Sequence, residues 1–234
     1  MMLSKSEPLA EGTVIMADNQ YAGRGQQQNE WHAEPGLNLT VSILLKPSFL
    51  LIAQQFMLNI AVSNGIYQAL NGVLGHGLTI KWPNDIYYED RKIGGVLIEN
   101  NIAGRAIKSS IIGIGLNVNQ KNFDPEKVKT ASSLSIILQE DVNLMELLGK
   151  ICCQIEGQYL KLRAGQYDQL KREYSHCLYK LNRLAFFRQN GELLEGKITG
   201  VTEEGLLLLA VNGAIRRYNF KEIEFMNDPY TTMK

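Results

Sequence analysis

The segment 111–119 constrains the fold most strongly, because small and apolar residues alternate along it with a period of two. Four apolar side chains fall on one face of a strand, namely Ile112, Ile114, Leu116 and Val118. The other face carries only glycines and amides, at Gly113, Gly115, Asn117 and Asn119. The first face predicts a sheet core, and the second suits close approach by a flat ligand, with Asn117 as its hydrogen-bonding partner. A helix packed on a sheet of small residues is the alternative.

Cations and glycines surround a tight turn between two apolar runs earlier in the chain. Residues 79–82 alternate as a strand does, and the Pro-Asn-Asp cluster at 83–85 ends that strand. Strand character resumes at Lys92. The two lysines, Lys81 and Lys92, are therefore expected on neighbouring strands, near the mouth of one shared site. The pair Gly94-Gly95 costs stability unless a backbone or a ligand comes close. We interpret the segment as an anion-binding site on a sheet; a charged hairpin with a glycine bulge is the alternative.

The polar segment 17–31 follows a strand-like run and is a candidate binding loop. Arg24 lies between Gly23 and Gly25, where its guanidinium group and the nearby backbone N–H groups can form an anion-binding concavity. Trp31, at the far end of the loop, is placed to stack on a base. A flexible solvated loop and a tryptophan that anchors the core are the alternatives.

In this order and spacing, the three segments closely resemble the catalytic domain of biotin protein ligases, the biotin-[acetyl-CoA-carboxylase] ligase family. The motifs that carry the resemblance are Gly23-Arg-Gly25 with Trp31, Glu34-Pro-Gly-Leu-Asn-Leu39, Lys81-Trp-Pro-Asn-Asp85, Arg91-Lys-Ile-Gly-Gly95 and Gly113-Ile-Gly-Leu-Asn117. Lipoate-protein ligases share the fold, but their motifs match these segments less well. The resemblance implies an α+β catalytic domain over residues 1–181, with a mixed, largely antiparallel sheet and packed helices. It also implies a small SH3-like β-barrel over residues 182–234.

The resemblance further implies a two-step reaction with ATP, biotin and Mg²⁺. Biotin is activated as biotinyl-5'-AMP and then transferred to a lysine of a biotin carboxyl carrier protein. The catalytic residues implied are Arg24, Lys92 and Asp85. Asp85 resembles a carboxylate sometimes assigned to deprotonating the acceptor lysine, and an ion pair with Lys81 is an equal alternative. The biotin-binding residues implied are Gln20, Gly23, Arg24, Gly25, Gln26, Lys92, Gly95 and Gly115; the nucleotide-binding residues implied are Trp31, Lys81, Asn84 and Asn117.

The chain departs from the family pattern in two places. Gln26 and Asn29 stand where many members carry arginines, so less positive charge faces the phosphate. The chain also has no Ser-Thr-Asn turn, whose hydroxyls meet the biotin head group in the family. We therefore expect either a start at an internal methionine or an incomplete, weakly binding biotin pocket. The run from Thr13 would then form an open sheet edge, which makes a homodimer possible.

Composition narrows the class of protein. The 234 residues carry 24 basic and 24 acidic side chains, and this balance disfavours a broad nucleic-acid surface. A helix-turn-helix, present in repressor members of the family, has no room before Val14. Apolar runs of membrane-spanning length and a signal-like N-terminus are absent, so we expect a cytoplasmic protein. The three cysteines and three histidines lack metal-ligand spacing, so we expect reduced thiols and no metal site.

The remaining elements follow from periodicity and turn chemistry. A half-buried strand is predicted over 37–45, and helices over 49–70 and from Asn143 to Leu162. A further amphipathic segment follows over 167–179. Asn-Gly pairs at 190–191 and 212–213 predict two hairpins. Arg216, Arg217 and Glu222 are weak candidates for closing over the nucleotide.

Three functions remain open from the sequence. The leading hypothesis is an ATP-dependent biotin protein ligase without repressor function. A lipoyl or octanoyl transferase of the same fold is the enzyme alternative. A non-catalytic protein that binds biotin or biotinyl-AMP is the third, because the Ser-Thr-Asn turn is missing.

Overall fold

The computed structural model describes residues 9–25, 30–124 and 130–226. Its central sheet contains six strands: β1 (Val14–Met16), β4 (Leu39–Leu45), β5 (Leu78–Lys81), β6 (Asp85–Tyr88), β7 (Arg91–Ala103) and β8 (Ala106–Leu116). They lie in the order β1-β4-β8-β7-β6-β5, and every neighbouring pair is antiparallel. The short strands β2 (Gly23–Arg24) and β3 (Glu30–Trp31) form a separate ribbon. The predicted α+β class with a largely antiparallel sheet is confirmed.

Four helices complete the core: α1 (Gln55–Leu74), α2 (Leu134–Leu138), α3 (Leu144–Arg163) and α4 (Tyr167–His176). The predicted start of α3 is confirmed, since Asn143 Oδ1 accepts hydrogen bonds from the backbone N–H groups of Met145 and Glu146. The prediction for α1 began too early. The carbonyl of Leu50 instead accepts a hydrogen bond from the backbone N–H of Ile107, and Leu51 forms a β-bridge with Ala106, both at the start of β8. The helix therefore begins only after a short 3₁₀ turn at Ile52–Gln54. No helix in the described ranges is long and apolar enough to cross a bilayer.

The two faces of the central sheet differ as the alternation predicts. Leu39, Val41, Ile43 and Leu45 of β4 are buried in the core that the sheet shares with the helices. Ile112, Ile114 and Leu116 of β8 are buried in the same core. The intervening residues Thr40, Ser42, Gly113 and Gly115 border an open cleft. The candidate site therefore lies on the sheet face opposite the core.

A second sheet contains β9 (Leu184–Gln189), β10 (Glu192–Val201), β11 (Leu207–Val211), β12 (Ala214–Tyr218) and β13 (Glu224–Met226), in the order β12-β11-β10-β9-β13. Both predicted Asn-Gly hairpins are confirmed, with φ of 50° and 87° at Asn190-Gly191 and 51° and 80° at Asn212-Gly213. The prediction that this C-terminal part closes into a small SH3-like β-barrel is wrong within residues 184–226, because β12 and β13 are opposite edges of an open sheet. Strand β12 pairs with β11 on one side only, and four of its five residues are exposed. The division at residue 181 stays a prediction.

Candidate active site

The floor of the cleft is a row of cross-strand partners that contains two glycines. Gly95 on β7 pairs with Gly115 on β8, and Asp85 on β6 pairs with Gly95. A Cβ atom at Gly115 would lie 2.5 Å from the Trp31 ring, and one at Gly95 would lie 2.9 Å from Asp85 Oδ1. The Trp31 ring therefore lies against the backbone of Gly115, and the Asp85 carboxylate lies against that of Gly95. This close approach explains why glycine occupies both positions. The cleft above them has a volume of about 1540 Å³.

An ion pair crosses this floor at Gly95. Lys92 Nζ lies 2.7 Å from Asp85 Oδ1, and each side chain remains about 30% exposed to the cleft. The alternative ion pair between Asp85 and Lys81 is wrong, although those two residues are cross-strand partners. The cause is a register shift between Ile86 and Tyr87, which sets Tyr87 opposite Lys92. This bulge turns Lys92 to the face that carries Asp85 and Gly95.

Lys81 lies at one end of the cleft in an aromatic environment. Its Nζ is 3.2 Å from the hydroxyl of Tyr87, 4.8 Å from the centroid of the Tyr87 ring and 5.0 Å from that of Phe225. Burial lowers the pKa of Lys81; Asp85 opposes this shift, and Lys92 adds to it. The two lysines predicted near one mouth do line the same cleft, but in different surroundings.

The predicted binding loop forms one wall of the cleft. Gln20, Arg24, Gly25 and Trp31 all border it. Gly23 lies beneath them, where a Cβ atom would collide with the carbonyl oxygen of Trp31 and lie 3.1 Å from Gln20 Oε1. The predicted site residue Gln26, with Asn29, lies outside the described residues. The Trp31 ring rests on Gly115, and its indole Nε1 is buried without an acceptor among the described residues.

The two asparagines predicted to contact the nucleotide hold backbone segments together. Asn84 Nδ2 donates to the carbonyl of Val96 at 2.6 Å, at the border of the cleft. Asn117 was predicted on the bare face of β8, and the structure does not place it in the cleft. Strand β8 ends at Leu116, so the alternation stops, and buried Asn117 donates to the carbonyl of Ser132 at 3.0 Å. A nucleotide contact by Asn117 stays a prediction.

Sequence reasoning missed the contribution of the second sheet. Phe220, Ile223, Glu224 and Phe225 border the end of the cleft that holds Lys81. The weak candidates Arg216, Arg217 and Glu222 are exposed and lie outside its lining. Turn chemistry predicted the hairpins, but no local pattern indicates which loop of a second sheet faces a distant strand. Thr40 and Ser42 could have been found by extending the alternation of β4.

The sequence also matches a family model and several curated proteins. The model for the biotin/lipoate A/B protein ligase family matches residues 3–117. The bifunctional ligase/repressor BirA of Bacillus subtilis is 31% identical over 216 residues, which are 92% of this chain and 66% of that protein. The chain belongs to the biotin/lipoate A/B protein ligase family. The biotin--[acetyl-CoA-carboxylase] ligase of Paracoccus denitrificans is 32% identical over 112 residues, 47% of this chain and 46% of that ligase.

Solved structures of the family share this architecture. The biotin protein ligase of Aquifex aeolicus, in complex with biotin and ATP, superposes with a TM-score of 0.80 at 25% identity, covering 95% of this chain and 92% of that one. Its apo form superposes with a TM-score of 0.73 at 24% identity. This family member therefore has the biotin protein ligase fold, including the C-terminal sheet.

Proposed function

We propose that the protein is an ATP-dependent biotin protein ligase, which activates biotin as biotinyl-5'-AMP and transfers it to a carrier lysine. The observation that carries the proposal is the Lys92–Asp85 pair over the floor of Gly95 and Gly115, walled by the Arg24 loop. Biotin and ATP are bound together in the related Aquifex ligase, which supports the same pair of substrates here.

In the first step, a carboxylate oxygen of biotin attacks the α-phosphorus of ATP. The bond from that phosphorus to the bridging oxygen breaks, and pyrophosphate leaves. Negative charge on the α-phosphate oxygens must be stabilised as the bond forms, and preorganised cations do this best. Lys92 and Arg24 border the same cleft and are assigned this role, with Gln20 and Gly25 of its lining as further contacts of the biotin-binding loop. Gln26, outside the described residues, is proposed as a contact from the family resemblance alone.

The glycine floor makes room for the reaction. With no Cβ at Gly95 or Gly115, a flat ligand can lie directly on the backbone beside the ammonium group of Lys92. Trp31 rests on Gly115 and lines the same space, so binding would require its ring to stack on the adenine base or to move aside.

In the second step, the amine of a carrier lysine attacks the acyl carbon of biotinyl-AMP. An amide bond forms, the bond to AMP breaks, and the amine loses a proton. Asp85 already accepts a hydrogen bond from Lys92 at 2.7 Å, which favours a positioning role on Lys92 over proton removal. We propose that Asp85 orients Lys92 in both steps.

Mg²⁺ is proposed as part of the substrate. No group of three or more His, Cys, Asp or Glu side chains that could hold a metal occurs in the described ranges. Mg²⁺ is usually bound through substrate phosphates with few protein ligands. The proposed acceptor is a biotin carboxyl carrier protein of a biotin-dependent carboxylase. A cytoplasmic location, the lack of a nucleic-acid partner and a possible homodimer stay predictions.

Isotope exchange between pyrophosphate and ATP tests the proposal. The protein is incubated with ATP, Mg²⁺ and labelled pyrophosphate, with biotin, lipoate or octanoate in parallel. Exchange with biotin, followed by labelling of a carrier domain, is the expected result. Exchange with lipoate or octanoate in place of biotin would assign the other branch of the family. Binding of biotin without exchange would indicate a non-catalytic binding protein.

A further inference from the structure

Lys81 is a partly buried cation with few partners. In the part of the chain that the structure describes, its one hydrogen bond is to the hydroxyl of Tyr87, whereas an ammonium group has three donors. Two aromatic rings, from Tyr87 on β6 and Phe225 on β13, hold the ammonium at 4.8 and 5.0 Å. The side chain nevertheless borders the cleft, so an anion can reach it.

Charges around Lys81 leave it without a close counterion among the described residues. Asp85 is held by Lys92 at 2.7 Å, and Glu224 is 3.4 Å from the guanidinium group of Arg188. Two further lysines, Lys92 and Lys180, lower the pKa of Lys81 by repulsion, in addition to the larger effect of burial. A bound anion would stabilise the ammonium form and so offset the unfavourable effects of both burial and repulsion.

The position of Lys81 in the sheet indicates which part of a ligand it meets. One row of cross-strand partners runs from Lys81 through Asp85 and Gly95 to Gly115. Neighbouring strands are about 4.8 Å apart, so Lys81 lies roughly 10 Å along the row from Gly95, where Lys92 crosses the floor. An extended triphosphate whose α-phosphate lies beside Lys92 would direct its terminal phosphates along this row.

We propose that Lys81 binds the β- and γ-phosphates of ATP, and the pyrophosphate formed from them, in a subsite between β5 and β13. The inference rests on the proposed function and adds to it a residue that discriminates between the two products of the first step. Biotinyl-AMP lacks these phosphates, so Lys81 holds pyrophosphate and makes little contact with the adenylate. Phe225 is a positioning residue that fixes the ammonium group.

Lys81→Met tests the subsite, because it keeps a long apolar side chain between the rings and removes the charge. The KM for pyrophosphate in biotin-dependent exchange should rise about tenfold or more, the usual loss for a charge-assisted contact. The Kd for biotinyl-AMP, measured by calorimetry, should change less than threefold. Lys108→Met is the matched control, since Lys108 is exposed and borders the other end of the cleft. It should leave both quantities unchanged.

The outcomes separate the two proposals. Absence of exchange in the wild-type protein would refute the ligase function itself. With wild-type exchange intact, an unchanged KM for pyrophosphate in Lys81→Met, or an equal loss for biotinyl-AMP, would overturn the subsite. If Lys81→Met does not fold, Phe225→Leu replaces it, because it removes one ring and keeps the ammonium group. The same selective rise in the KM for pyrophosphate is then expected, with partial recovery in Phe225→Tyr.

Discussion

Two of the lysines that line the cleft, Lys92 and Lys81, have opposite surroundings. Lys92 is paired with a carboxylate and about 30% exposed to the cleft, above a glycine that makes room for a ligand. Lys81 is desolvated by two aromatic rings, one of them from the C-terminal sheet. A neutralised, accessible cation suits a role in a reaction where charge moves, because its partner keeps it oriented. A partly buried cation that forms no ion pair among the described residues suits holding a fixed anion.

Lys92→Ala should have the largest effect of any change at these two sites. It removes the cation nearest the proposed reacting atoms and leaves Asp85 without its partner. The rate of adenylate formation should fall on the order of a hundredfold or more. Pyrophosphate exchange and the thermal midpoint are measured together, so that a folding defect is recognised. A folded variant with near wild-type exchange would contradict the assignment and remove the contrast with Lys81.

Gly95→Ala should disturb the same site through geometry alone. The added Cβ would lie 2.9 Å from Asp85 Oδ1 and 3.5 Å from Lys92 Nζ, so the ion pair must shift. We expect a loss of about tenfold in the exchange rate, because small displacements of catalytic groups are costly. Gly149→Ala is the matched control, since this helical position has open space around it. A Gly95→Ala protein as active as that control would show that the floor tolerates a side chain.

The pH dependence of pyrophosphate binding should distinguish the two lysine sites further. Burial lowers the pKa of Lys81, so its ammonium form is lost at a lower pH than that of an ordinary lysine. Asp85 and Glu224 oppose this shift, whereas Lys92 and Lys180 reinforce it. Affinity carried by the ammonium form must therefore weaken as pH rises through the lowered pKa.

A ratio between two proteins isolates this effect from the titration of pyrophosphate. Lys81→Arg keeps its charge throughout, since a guanidinium group stays protonated. The KM for pyrophosphate of the wild type, divided by that of Lys81→Arg, should rise several-fold with pH below the usual lysine range. A ratio that stays constant would show that the charge of Lys81 does not contribute.

The contrast between the two sites also shows what sequence can predict. Periodicity, capping and turn preferences correctly predicted the buried face of β8, the helix cap at Asn143 and both Asn-Gly hairpins. Each of these features depends on only a few adjacent residues. The family resemblance correctly gave the α+β fold with its central antiparallel sheet, although the C-terminal sheet that it implied as a barrel is open. The Lys92–Asp85 pair was missed because it depends on a register shift between β6 and β7, where Ile93 of β7 is the extra residue, and no motif in this segment marks that shift.

Long-range packing limits the prediction of the Lys81 site even more. Phe225 is separated from Lys81 by most of the chain, and it reaches the cleft only through the docking of a second sheet. Such contacts depend on how the central sheet and the C-terminal sheet, whose strands can each be predicted locally, pack against each other. The same reason explains why Arg216 and Arg217, which looked suitable by charge, lie outside the lining.

Trp82→Phe should have the smallest effect, and it tests this docking directly. Trp82 Nε1 donates to the carbonyl of Gly205 at 2.9 Å, and its ring meets Phe220 edge-on at 5.8 Å. Losing one buried hydrogen bond should lower the free energy of unfolding by about 1–2 kcal/mol. Urea unfolding measures the loss.

Trp31→Phe is the matched control, because it makes the same substitution at a tryptophan that offers no such bond. The indole Nε1 of Trp31 has no acceptor among the described residues, so its removal should cost clearly less stability than the removal of Trp82 Nε1. Equal losses would mean that ring size, and not the bond to Gly205, governs Trp82. If the bond does govern it, Trp82→Phe should also raise the KM for pyrophosphate slightly, since a loosened C-terminal sheet holds Phe225 less firmly against Lys81.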